Sequence, residues 1–348
     1  MLFKSSRLTY APTSGRPNIL ALSSDAEISE IRLRPFLSAL LARGIIASYQ
    51  FADRKMNPVG WLRTGKFTHL WCHRNISTAQ YNFLKKHAHV PIIYDIDDLL
   101  TDVPEFVMKR RMRTLARIDW CLNHAQAVTV AAERLKKELC CKIPPDTKTL
   151  VLKNGYAGYQ PPRRPTPKKQ IIWTSGDLPF VLREHPHFMA DIAKLANFHE
   201  YEMIFIGRFD PEYGEMFSRR RHIQRLDFVS YREFLRFNSG AIALAPLPSG
   251  LPGAFQRFFD AKSDIKLVDY LSAGLVPIFT STPPYSESEL FIPQLAASDP
   301  DGLLKIFEHC LANHAEMIEL VDATIHATNS LKNREFVELS KSLDLIFE

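Results

Sequence analysis

Apolar and polar positions along the chain follow two periods in alternation. Short apolar runs such as 18–23 (NILALS), 91–95 (PIIYD) and 127–131 (AVTVA) are separated by stretches with apolar residues three and four apart. A short apolar run predicts a strand covered on both faces, and the three-and-four spacing predicts an amphipathic helix. The first half therefore reads as strands at 18–23, 45–51, 68–72, 91–95, 127–131 and 149–152. Helices are predicted at 27–43, where Gly44 stops the turn, at 78–87, twice around 106–123, and at 133–140. Strands are predicted again at 170–174, 201–206, 226–229, 241–245 and 276–280. Helices fall near 181–196, 232–237, 263–273 and 300–311, and 314–347 reads as helical throughout.

Between the halves lies 157–169 (AGYQPPRRPTPKK), with four prolines and four basic residues. Proline removes backbone donors and favours extended chain, so this tract is the predicted linker. Strands alternating with helices imply parallel sheets covered on both faces. The predicted architecture is α/β, with two Rossmann-like, doubly wound domains facing each other across a cleft. A domain at 1–160 is followed by a linker at 161–169, a second domain at 170–325 and a C-terminal helix at 326–348 that crosses back. In such folds ligands bind beyond the carboxyl ends of the strands.

Composition supports two cores: 348 residues, 46% hydrophobic and 24% charged. No apolar run reaches the ~18 residues that a spanning helix needs. The N-terminus has no secretory apolar core, and five cysteines without a CxxC spacing suggest a reducing cytoplasm. The net charge of +6 is unevenly divided: residues 1–164 hold 26 Lys and Arg against 13 Asp and Glu, and residues 165–348 hold 18 against 25. Basic runs at 109–113 (KRRMR) and 219–221 (RRR, expected on a loop) would suit an anionic membrane surface, or serve solubility alone. No helix-turn-helix, RNP or zinc pattern supports nucleic acid as the partner.

The stretch 241–285 concentrates the chemistry. A buried strand ends at Pro246, a long loop follows, and Ser263 stands where a helix N-cap belongs. Lys262 and Lys266 are four residues apart and Asp269 follows three later, on one helix face. Two cations beside an amide-rich helix start form a diphosphate cradle, and a carboxylate one turn deeper can accept bonds from a ribose diol. The same spacing also describes a solvated face with an ordinary ion pair.

The run KSDIKLVDYLSAGLVPI (262–278) resembles the C-terminal signature of GT-B glycosyltransferases of the retaining family-4 type, and Pro284-Tyr285 fits its continuation. IIWTSG (171–176), FIGR (205–208) and APLP (245–248) are similar to strand ends of that family's nucleotide-binding domain. EIRLRPFLSALLARG (30–44), THLWCHR (68–74), PIIYDIDDLL (91–100) and VLKNGY (151–156) are similar to pieces of its N-terminal domain. The resemblance implies a retaining, metal-independent sugar transfer from a nucleotide-sugar donor, with no cofactor, to a saccharide or lipid-linked acceptor in bacterial surface polysaccharide synthesis, at the cytoplasmic side of the inner membrane. It implies donor contacts at Gly176, Arg208, Tyr231, Lys262, Ser263, Lys266 and Asp269. Where many members carry a first glutamate this chain has Ala261, and Ser23-Ser24-Asp25 replaces a common Gly-Gly pair. Sugar recognition is then expected from the loop 249–255. Loss of that glutamate also supports a rival reading, a non-catalytic sugar-nucleotide or glycan-binding module.

Asp95, Asp97 and Asp98 close a buried strand. They could bind or deprotonate an acceptor hydroxyl, hold a metal as Asp-x-Asp does in GT-A transferases, or cap the next helix. Asp95 is expected nearest the substrate and Asp98 as a cap. His73 and Arg74 could line the cleft, and Arg32 and Arg34 read as surface charge.

Overall fold

The computed structural model describes residues 15–23, 26–52, 55, 67–103, 112–156, 165–176 and 181–347. It divides into two compact units, one taking the chain up to Lys153 together with the segment from Leu339 onward, the other Asn154–Glu338. Each unit is built on a six-stranded parallel sheet.

In the first unit the strands are β1 (Asn18–Ser23), β2 (Ser48–Ala52), β3 (His69–His73), β4 (Ile92–Ile96), β5 (Ala127–Val130) and β6 (Lys148–Val151), in the order β2-β1-β3-β4-β5-β6. β3 and β4 are almost wholly buried, because helices cover both faces of the sheet. The order reverses between β1 and β3, where Ser23 pairs with His73. The carboxyl ends of β1, β3 and β4 therefore surround the place where a doubly wound sheet opens a crevice. The residues from Leu339 onward pack at the opposite, amino ends of the strands: Arg43 meets Asp344 at 2.7 Å, and the ring of Phe347 stands edge-on to His69, the first residue of β3.

The second unit has β7 (Gln170–Ser175), β8 (Glu202–Gly207), β9 (Arg220–Ile223), β10 (Ile242–Ala245), β11 (Val276–Thr280) and β12 (Ala296–Ala297), in the order β12-β11-β10-β7-β8-β9. Its reversal lies between β7 and β10. Trp173, Phe205, Leu244 and Phe279 fill the sheet's core.

Several expected elements are corrected. The single helix 27–43 is two, Ala26–Ile31 and Leu33–Ala42. Pro35 cannot donate into an ongoing helix, so it sits in the first turn of the second one. Pro186 likewise separates Val181–Glu184 from Phe188–Phe198. The expected strand 226–229 is the start of the helix Phe228–Phe237, whose N-cap Asp227 accepts from the Ser230 amide at 3.0 Å. The strand is instead Arg220–Ile223, a polar edge strand, so Arg220 and Arg221 lie in the sheet and not on a loop. The loop expected after Pro246 contains the helix Gly253–Asp260. The helix expected over 314–347 ends at Thr328, because Asn329 takes the left-handed conformation (φ 49°), and short turns follow. Of the basic run 109–113, residues 109–111 lie outside the described residues, as do Ser24, Asp25 and the linker residues 157–164.

Candidate functional site

In the second unit the helix Ile265–Ser272 runs back from the carboxyl edge of the sheet. It carries Lys266, Asp269 and Tyr270, and places Lys266 and Tyr270 beside the end of β7. The Lys266 ammonium donates to the Thr174 carbonyl oxygen at 2.7 Å. The Tyr270 hydroxyl lies 2.8 Å from Thr174 Oγ1 and donates to the Leu244 carbonyl at 3.3 Å, spanning the β7–β10 reversal. Lys266 and Tyr270 are thus aimed at the switch point of the sheet. Loss of hydration and the neighbouring Lys262 push the Lys266 ammonium down to about 8. Lys262 lies with its ammonium 4.6 Å from the centre of the Phe258 ring.

Asp269 is buried and accepts from Arg232 at 2.9 Å, with the Arg232 Nη2 at 2.7 Å. Burial pushes its carboxyl up, and Arg232 opposes that rise. Tyr231, on the neighbouring helix, has its phenol pushed well above the ordinary value by burial, with Tyr270 and Asp269 adding to the rise. Gly176 follows β7, and among the described residues a Cβ there would meet no atom within 4 Å. Gly207 ends β8 at φ +102°, where a Cβ would fall 1.9 Å from the Ser175 carbonyl oxygen. Arg208, next in the chain, donates its backbone N–H to that same oxygen at 3.0 Å. Lys266 and Gly176 therefore stand at the end of β7 and Arg208 at the adjacent strand end, while Asp269 is held by Arg232 and Lys262 lies over Phe258.

Ser263 departs from expectation. The N-cap position belongs to Asp264, and no side chain caps the helix. The Ser263 hydroxyl instead accepts from Asn154 Nδ2 at 2.7 Å, which turns it toward the chain entering the unit. Ala261 is fully buried as the C-cap of Gly253–Asp260. Of residues 249–255, 249–252 are loop and 253–255 open that helix.

In the first unit the acidic strand end is wrapped in cations. Asp95 is 1% exposed and accepts from Arg32 Nε at 3.0 Å, from Arg32 Nη2 at 2.6 Å and from the Thr129 hydroxyl at 2.6 Å. Arg32 is buried too, which overturns its reading as surface charge; Arg34, exposed and paired with Glu30 at 2.7 Å, fits that reading. Asp97 keeps 16% of its side chain exposed and meets Arg74 Nε at 2.8 Å. Burial alone would raise its carboxyl, but Arg74, His73 and Arg32 outweigh burial and hold it well below the usual carboxylate range. Asp98 pairs with Arg74. His73, wholly buried, sits 3.5 Å from Asp95 and 3.6 Å from Asp97 through Nε2, and among the described residues neither ring nitrogen has a hydrogen-bond partner. Asp95 is thus an internal ion-pair residue, whereas Asp97 and Asp98 both keep some access to solvent. Arginines hold the acids in the places where a cation would stand, and among the described residues no group of three His, Cys, Asp or Glu side chains could hold a metal ion.

Arg232 and Thr174 were not singled out from sequence. The Asp269–Arg232 partnership joins residues on two helices with no motif between them.

No family model matches the chain, and no curated protein matches it by sequence. Solved structures match it in fold. Sucrose-phosphate synthase from Thermosynechococcus elongatus aligns over 95% of this chain and 98% of its own, with a TM-score of 0.63 at 12% identity. HepE of Anabaena, in complex with UDP and glucose, aligns over 95% and 99%, with a TM-score of 0.57 at 13% identity. A putative UDP-N-acetylglucosamine 2-epimerase from Listeria monocytogenes aligns over 94% and 95%, with a TM-score of 0.51 at 11% identity. The described residues contain no helix long and apolar enough to cross a membrane. At these identities the likeness concerns architecture, and the architecture is the GT-B fold: two Rossmann-like units, each on its own six-stranded parallel sheet.

Proposed function

We propose that this protein is a glycosyltransferase that moves a sugar from a nucleoside-diphosphate donor to a saccharide acceptor, free or lipid-linked. The observation that carries this reading is Lys266, half-buried at the β7–β10 reversal with Lys262 beside it. Departure of a nucleoside diphosphate builds negative charge on the bridging oxygen, and fixed cations at that place lower the barrier. In this reading Lys262, Lys266 and Arg208 face the diphosphate, Gly176 admits it to the backbone, and Tyr231 and Asp269 flank the nucleoside. Two ammonium groups supply the charge that a metal would otherwise bring, so the reaction needs no metal and no cofactor.

The bond from the anomeric carbon to the diphosphate oxygen breaks, and its electron pair leaves with the nucleotide. The acceptor oxygen bonds to the same face of that carbon, and its proton passes to the departing phosphate oxygen. The sugar is thereby transferred with retention. In the first unit Asp97 is the carboxylate placed to bind an acceptor hydroxyl, with Asp95 holding the strand end beneath it. An acceptor carried on a lipid, in surface polysaccharide assembly, suits the excess of positive charge in residues 1–164, at the cytoplasmic face of a membrane. HepE, bound to UDP and glucose, supports a uridine donor as the first to try.

The rival, a binding module without turnover, takes its support from Ala261, which is wholly buried and cannot contact a sugar as a carboxylate would. Incubation with UDP-, GDP- and ADP-sugars and saccharide acceptors, in EDTA, separates the two. Release of nucleotide coupled to a new glycoside with unchanged anomeric configuration is expected. Tight nucleotide-sugar binding without turnover supports the module. Inversion overturns the retaining mechanism, and activity only with added metal overturns the two-lysine account.

A further inference from the structure

Three arginines grip the backbone of the segment through which the chain passes from the first unit into the second. Arg32 Nη1 donates to the Leu152 carbonyl at 2.6 Å, Arg334 Nη1 to the Asn154 carbonyl at 2.9 Å, and Arg232 Nη2 to the Gly155 carbonyl at 2.8 Å. Each guanidinium also closes on an aspartate: Arg32 on Asp95, Arg334 on Asp264, and Arg232 on Asp269. Residues 152–155 lie outside any helix or strand, so their carbonyl groups depend on these side chains. A planar guanidinium with five N–H groups can serve a carboxylate and a carbonyl together.

The two aspartates of the second unit bracket Lys266. Asp264 precedes the helix Ile265–Ser272 and Asp269 lies within it, three residues beyond Lys266. Further bonds reinforce the connection. Asn154 Nδ2 donates to Ser263, the Tyr156 amide donates to the Arg334 carbonyl at 3.0 Å, and the Phe336 amide donates to the Tyr156 carbonyl at 3.1 Å. Arg334 is 1% exposed and also holds Glu289 at 2.5 Å. The segment just before the second crossing at Glu338 is thereby fastened to the first crossing.

We propose that Arg232 and Arg334 are positioning residues that join the Lys266 helix and the crossover segment 154–156 into one mechanical element. A diphosphate seated on Lys266 then stiffens the point where the chain changes unit. The proposal rests on the donor reading above for its ligand, but the joint itself exists without one.

Amide hydrogen exchange on the full chain tests it, using Arg232→Lys and Arg334→Lys. Lysine keeps a cation against the aspartate and lacks the fork that also reaches the carbonyl. Without ligand, exchange at 154–156 and at 265–272 is expected to rise together by about tenfold in each variant, with β3 and β4 unchanged. Faster exchange in only one of the two segments overturns the joint. With UDP as probe, wild type is expected to slow exchange in both segments and Arg232→Lys in the helix alone. Protection that spreads to 154–156 in Arg232→Lys, or that fails to reach 154–156 in wild type, overturns the proposal. If wild type binds no UDP, the uridine donor reading falls and the ligand-free comparison decides the joint. A lysine variant that unfolds is replaced by Asp269→Asn, which removes the carboxylate that ties Arg232 to the helix. Unchanged exchange at 154–156 in that variant also overturns it.

Discussion

Arg32 and Asp95, 63 residues apart in sequence, form a two-pronged ion pair at 3.0 and 2.6 Å with both side chains about 1% exposed. Replacing Arg32 by methionine leaves a carboxylate uncompensated in the interior of the first unit, together with the Leu152 carbonyl. The expected cost is about 3–5 kcal/mol of unfolding free energy. The double variant Arg32→Met/Asp95→Leu removes both charges and should recover most of that loss. Urea unfolding of the two variants measures the difference, and equal losses would show that the pair is not the origin of the cost.

Asp97 and Asp95 should separate in their effects. Asp95→Asn strips Arg32 of its partner and should lower stability with a matching loss of folded protein. Asp97→Asn sits beside solvent and should leave the fold intact while lowering transfer by about 100-fold. Because Asp97 is held well below its ordinary value in the folded chain, its contribution to stability is present above about pH 4 and is lost as pH falls further. The acid limb of unfolding in Asp97→Asn should accordingly be shallower than in wild type.

Gly207 cannot be replaced without moving β7. At φ +102° a side chain is strained, and its Cβ would lie 1.9 Å from the Ser175 carbonyl oxygen. Gly207→Ala should cost at least about 2 kcal/mol and disturb the strand end that carries Thr174 and Gly176. Gly176→Ala meets nothing within 4 Å among the described residues and should leave stability unchanged, so any loss of nucleotide affinity there reports on close approach by a ligand.

The alternation of strands and helices was legible because parallel strands buried on both faces are written as unbroken apolar runs, as at 92–96 and 242–245. Elements at the margins were not. β9 reads RRHI because an edge strand needs no apolar face, whereas LDFV nearby mimics a strand but is a helix start fixed by Asp227. Gly253 and Pro252 disguised the helix that follows them. The lysines of the candidate site were visible as a local spacing. Their counterparts Arg232 and Arg334 were not, since Arg334 reaches Asp264 across 70 residues and no local period encodes such a contact. Arg32 was misread for the same reason: a charge on a helix reads as solvated unless its distant partner is known.

Lys266 gives the sharpest pH test, because its effects on binding and on stability run in opposite directions. Its ammonium is pushed from an ordinary value of 10.5 down to about 8. Below pH 8 both the folded and the unfolded chain carry the proton. Between about 8 and 10.5 only the unfolded chain does, so the stability contribution of this group rises with pH through that window. The diphosphate needs the cation, however, so UDP affinity should fall as pH rises above 8. Lys266→Arg stays charged and should flatten the alkaline fall in affinity, while Lys266→Ala should lower transfer by about 100-fold or more at every pH with the fold retained. Calorimetric UDP titrations at pH 7, 8.5 and 9.5, paired with urea unfolding at the same values, check both directions. Affinity that is flat with pH in wild type would remove Lys266 from the diphosphate site.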